Sequence, residues 1–163
     1  MMRRLRKLAR DRSGTATIEL ALCAPILAMM VIGVSDVSIA YGKKLELEQA
    51  AQRAMEKVAQ TTGEATPEDT IKKEAVCQYN GNDSSGTCIM TAPITTANVS
   101  VSYVLKCDGV VKTYSEDCTA GETELRYITT VVTDTYTPMF NLHFGTNSEG
   151  TYHLAGKAGV RVA

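Results

Sequence analysis

Residues 15–34 read TATIELALCAPILAMMVIGV, twenty residues whose one charge is Glu19. At about 1.5 Å per residue, a helix of this length covers roughly 30 Å, the thickness of the hydrocarbon layer of a bilayer. The stretch is therefore expected to be a transmembrane helix. Just before it stand Arg3, Arg4, Arg6, Lys7, Arg10 and Arg12, opposed by Asp11 alone, while the rest of the chain is net acidic. A basic arm on an acidic chain suits a nucleic acid or a membrane surface. The apolar run behind the arm decides for the membrane and against a nucleic-acid partner. Positive flanks stay on the cytoplasmic side, so the N-terminus is expected inside and everything after about Asp36 outside.

Two other N-terminal signals are disfavoured. A cleaved secretory signal has an apolar region of roughly 7–15 residues ending in a small-x-small site. Here the run is longer, and Ser35, Val37 and Ser38 make only a weak site. A lipoprotein signal places a small residue before its cysteine, but Cys23 follows Leu22 and the short stretch before it contains Glu19. Cys23 reads as a small apolar residue of the helix.

Four further cysteines, Cys77, Cys88, Cys107 and Cys118, form two successive C-x10-C pairs. Paired zinc ligands usually stand two to four residues apart, so no metal site is expected. Four cysteines outside the membrane suit two disulfides in an oxidising compartment. Three connectivities are open. Pairing Cys77 with Cys88 and Cys107 with Cys118 is preferred because each bond closes a short polar loop, worth on the order of 2–3 kcal/mol in the chain-entropy model.

The helix is expected to continue past the membrane. KKLELEQAAQRAMEKVAQ (43–60) has high helix propensity, and Leu47, Ala51, Ala54, Met55 and Val58 recur on one face. One helix over 15–60 would be roughly 70 Å long, weakened at Gly33 and Gly42, bent at Pro25, and stopped at Gly63. A second helix is expected from Thr66, as N-cap, to about Tyr79, with Pro67 in its first position and Glu68 and Asp69 at the positive end of its dipole. Residues 80–86 read as a loop. Val99, Val101, Tyr103 and Leu105 alternate with Asn98, Ser100 and Ser102, the period of a half-buried strand. Asp108-Gly109 suits a hairpin turn into VVKTY. Residues 124–136 should form a long strand ended by Pro138, residues 141–150 a loop, and 151–163 a last strand. The expected fold is α+β: a long helix, a short helix and a three- to four-stranded antiparallel sheet packed on the long helix's apolar stripe. The segments divide as a basic leader (1–14), a transmembrane helix (15–36) and an extracytoplasmic domain (37–163).

The stretch Gly14-Thr15-Ala16-Thr17-Ile18-Glu19-Leu20 is the most informative. An ionisable residue inside a membrane helix is costly and is by default a functional candidate. The plainer reading is that Glu19, about one turn in, snorkels to the cytoplasmic interface. A basic leader ending in glycine, with glutamate fifth after it, resembles a prepilin. Gly14, Ile18-Glu19-Leu20-Ala21-Leu22 and Pro25 most resemble the TadE-like family of tight-adherence (Flp) pilus systems. Tyr136-Thr137-Pro138 and the small residues before Arg161 are similar to that family's C-terminal half.

That resemblance implies a pilin-like fold and a minor pilin or assembly factor in the bacterial inner membrane, with its domain periplasmic or in the pilus. A prepilin peptidase would cut between Gly14 and Thr15. Glu19 would then pair with the new α-amino group, fixing register among other pilin subunits and assembly proteins in a hetero-oligomer, with Pro25 part of the same segment. The family's major pilins are very short and carry tyrosine after the glutamate. Leu20 and the large outer domain favour a minor role, and an uncleaved anchored form is a variant of the same reading.

No enzyme and no cofactor are expected. His143 and His153 are the only histidines and have no ligand or triad partner at suitable spacing, and no Walker, G-x-S-x-G or G-x-G-x-x-G motif occurs. Asp108, Glu116 and Asp117 lie in or beside the second cysteine loop and read as solvating charges. Tyr103, Tyr127, Tyr136 and Tyr152 read as strand packing. The competing reading is a single-pass anchored binding module with no assembly role, in which Glu19 would be dispensable.

Overall fold

The computed structural model describes residues 13–61, 66–140 and 146–162. The basic cluster, the Gly63 helix stop, His143 and Ala163 lie outside the described residues. Helix α1 spans Ser13–Gln60 without interruption, Pro25 included. Helix α2 spans Glu68–Asn80, and a 3-10 turn, Thr96–Asn98, leads into the sheet. The strands are β1 (Val99–Cys107), β2 (Val110–Lys112), β3 (Glu124–Tyr136) and β4 (Tyr152–Arg161). They form one open antiparallel sheet in the order β2-β1-β3-β4. The fold is α+β, with both helices on one face of the sheet.

Helix α1 divides into two halves of opposite character. Through residue 35 nothing whose burial is described is buried, and Ile18, Leu20, Leu22, Ile26, Met29 and Met30 are all exposed. From Asp36 onward one face goes under the domain: Ala40, Leu47, Ala50, Ala51, Ala54 and Val58 are buried. The stripe is mostly alanine, so the helix can approach its neighbours closely. Ile71, Ala75 and Val76 of α2 close it from one side, and Ile128 and Val132 of β3 from the other. Arg53 pairs with Glu74 across the helices at 3.3 Å.

Strand β4 shows why its sequence is rich in small residues. A Cβ on Gly156 would stand 2.2 Å from the Leu47 carbonyl carbon and 2.3 Å from the Glu48 nitrogen. The strand backbone thus lies directly on the helix backbone, and a side chain would force them apart.

Three local expectations are corrected. Thr66 does not cap α2. Pro67 takes that place in an extended conformation, its carbonyl accepting from Thr70 and Ile71, while the Thr66 hydroxyl lies 3.0 Å from that of Thr61. The segment VVKTY pairs only through Lys112, because Tyr114 turns inward against the Tyr103 ring, 5.1 Å away. Asn98 belongs to the 3-10 turn, where its side chain accepts from the Thr95 backbone N–H. The hairpin turn itself follows its sequence: Asp108 and Gly109 both have positive φ, the geometry that matches the twist of the two strands.

Candidate functional site: the exposed half of the long helix and its junction with the domain

Glu19 is exposed on the bare half of α1, between exposed Ile18 and Leu20. The next carboxylate along the helix is Asp36. The stretch between them carries no charge and is roughly 25 Å long at the rise of an α-helix. Gly14 and Thr15 lie in the first turn of α1. Glycine is a weak helix former, so Gly14 lowers the local helix stability. Pro25 stands six residues beyond Glu19 and lacks the N–H that would bond the Ala21 carbonyl. The structure places no other described charged group beside Glu19, and a helix with this length and composition is apolar enough to cross a membrane.

Asp36 was legible in the sequence only as the end of the apolar run. The structure gives it a specific role. It is 2% exposed. Its carboxylate accepts from the Tyr136 hydroxyl at 3.2 Å and from the backbone N–H groups of Met139 and Phe140 at 3.0 and 3.2 Å. Tyr136 at the end of β3 and the Met139-Phe140 backbone just beyond it thus grip α1 where its exposed half ends. Desolvation and the neighbouring Asp36 charge raise the Tyr136 pKa above its ordinary value. Lys43 lies over the Tyr136 ring, 6.0 Å from its centre, and the Tyr152 ring stacks on it.

The two cysteine pairs lie at separate places. Cys77–Cys88 ties the last turn of α2 to the following loop, and Cys107–Cys118 ties the end of β1 to the loop before β3. Cys23 is free and exposed on the bare half of α1. Glu122 comes within metal-ligand range of Cys107 and Cys118, but disulfide sulfurs are not thiolates and make no metal centre. The second loop has an internal support that sequence reading missed. Arg126, 8% exposed, donates to the carbonyls of Tyr114 and Glu116 at 2.8 and 2.9 Å, and to carboxylate oxygens of Asp117 and Glu124. Its hydrogen bond holds the Glu124 pKa below the ordinary value. Asp117 thus serves in a loop-ordering network.

The sheet face turned away from the helices carries Lys106, Tyr127, Lys157 and Arg161 among serines and threonines, and none of its strand positions is acidic. His153 lies on the same face, its Nδ1 3.4 Å from the Thr135 hydroxyl, and among the described residues it belongs to no metal-ligand cluster.

These features define a class: a small disulfide-bonded α+β head carried on one long helix whose first half is bare and apolar. The family model described as TadE-like protein matches residues 14–55, from Gly14 through the bare half of α1 and into its buried stripe. This is the family that the Gly14–Pro25 pattern resembles. No curated protein and no solved structure matches the chain.

Proposed function

We propose that the protein is a non-enzymatic minor pilin or assembly factor of a tight-adherence pilus. In this reading the bare half of α1 spans the bacterial inner membrane, with the N-terminus cytoplasmic and the head periplasmic or in the pilus. The observation that carries the proposal is the coincidence of the TadE-like match with an exposed carboxylate, Glu19, on the otherwise apolar bare half of α1. A carboxylate in lipid needs a partner. Cleavage between Gly14 and Thr15 by a prepilin peptidase supplies one, the α-amino group of Thr15. That amine lies four residues from Glu19, roughly 6 Å along the axis. The same pairing made between subunits fixes their register and draws this chain into a complex with other pilus components.

A second reading has its own observation. The sheet face with Lys106 and Lys157, which has no acidic residue at its described strand positions, suits an acidic binding partner, as an anchored binding module would require.

The intact mass and N-terminal sequence of the protein from its host's membranes test the first reading. A chain beginning at Thr15, together with loss of piliation in Glu19→Leu, supports it. A chain retaining the leader and a Glu19→Leu variant with normal piliation would transfer the weight to the binding module.

A further inference from the structure

We propose that Met139 and Phe140 are seated in the interfacial layer of the bilayer, so that the head rests directly on the membrane. The inference rests on the reading that the bare half of α1 spans that bilayer.

Met139 is 73% exposed and Phe140 43% exposed, although each backbone N–H is fixed by a buried carboxylate. Large apolar side chains held in the open by a rigid contact mark an interaction surface. Their position says which one. The carboxylate is Asp36, at the point where α1 passes from its bare half into the domain. Met139 and Phe140 are therefore level with the end of the apolar stretch, where Val34 and Val37, the helix residues on either side of Asp36, are also exposed. One turn further on stands exposed Tyr41, and the lysines Lys43 and Lys44 follow at once. Apolar side chains thus give way to an aromatic and then to charged side chains, and tyrosine rings sit at the headgroup level of a bilayer.

Asp36 is suited to that boundary. Its charge is spent on three donors and screened from solvent and lipid alike, so it needs no water. Its contact with Tyr136 spans 100 residues of sequence and ties the end of β3 to the helix at this point.

The chain contains no tryptophan, so single-tryptophan variants report from one place each. Full-length Phe140→Trp, Met139→Trp, Ile26→Trp and Val111→Trp are reconstituted into phosphatidylcholine vesicles. The vesicles carry acyl chains brominated near the carbonyl or near the methyl end. Val111 lies on β2, at the end of the sheet opposite Tyr136, roughly 40 Å away along β3. Phe140→Trp and Met139→Trp are expected to emit at shorter wavelength than Val111→Trp and to be quenched most by shallow bromines. Ile26→Trp should be quenched most by deep bromines, and Val111→Trp by neither. If Ile26→Trp is quenched while both probes at 139 and 140 behave like Val111→Trp, the seating is refuted and the span stands. If Ile26→Trp is also unquenched, the span fails and the seating falls with it.

Discussion

Adding one methyl group at Gly156 should be among the most damaging small substitutions in the head, and the same change at Gly42 should do the opposite. In Gly156→Ala the new Cβ would sit 2.2 Å from the Leu47 carbonyl carbon and 2.3 Å from the Leu47 oxygen and Glu48 nitrogen. Carbon contacts normally lie at about 3.5–4.0 Å, so β4 must retreat from α1 by more than roughly 1 Å. All three clashing atoms are backbone, so no rotamer change relieves them. The retreat also opens the contact that Ala158, Val160 and Leu154 make with the core. Overpacking of a well-filled site costs about 1–3 kcal/mol, and this case belongs at the upper end. Gly42 is a helical glycine with nothing within 4 Å of its would-be Cβ. Alanine there removes the conformational penalty of glycine and should add about 0.5–1 kcal/mol. The assay is urea unfolding of the full chain in detergent micelles, followed by tyrosine fluorescence. With a slope of about 1–3 kcal/mol per molar urea, the Gly156→Ala midpoint should fall by on the order of 1–2 M, and that of Gly42→Ala should rise slightly. A Gly156→Ala midpoint equal to wild type would refute the backbone-on-backbone packing of β4 on α1.

Thr130 is fully buried between Ile128 and Val132, and its hydroxyl has no hydrogen-bond partner among the described residues. Thr130→Val should therefore stabilise the head by about 1 kcal/mol, read as a higher unfolding midpoint. Replacing both Cys107 and Cys118 by serine removes a constraint worth about 2–3 kcal/mol. The melting temperature should drop by on the order of 5–10 °C, with the strands still formed by circular dichroism because Arg126 holds the loop independently. Burial and the Asp134 carboxylate, 2.6 Å away, raise the pKa of Tyr79 well above its ordinary 10.0, and Tyr103 and Tyr136 are raised too. A folded-state pKa raised in this way gives stability that is complete below pH 10 and lost as pH rises beyond it. The head should unfold progressively above pH 10, with part of its tyrosine ionisation, followed by ultraviolet absorbance, delayed until unfolding. Tyr79→Phe should flatten that alkaline slope.

The sequence by itself determined whatever depends on neighbours along the chain. The apolar run and its flanks define the bare half of α1 because length and charge pattern are read from neighbours alone. Leu47, Ala51, Ala54, Met55 and Val58 mark the buried face because 3.6-residue periodicity is local. Asp108-Gly109 marks the hairpin because positive φ at two successive residues leaves few choices. Only the tertiary structure decided what depends on contacts between distant segments. It paired Cys77 with Cys88 and Cys107 with Cys118 from among three connectivities. It set the strand order and made Gly156 a contact point for a helix more than a hundred residues earlier. It moved the start of α2 past Thr66, whose hydroxyl met Thr61. It also turned Asp36 from the end of an apolar run into the joint between helix and head. Nothing local distinguishes that aspartate. Its meaning lies in Tyr136, Met139 and Phe140, which reach it only when β3 is laid beside the helix.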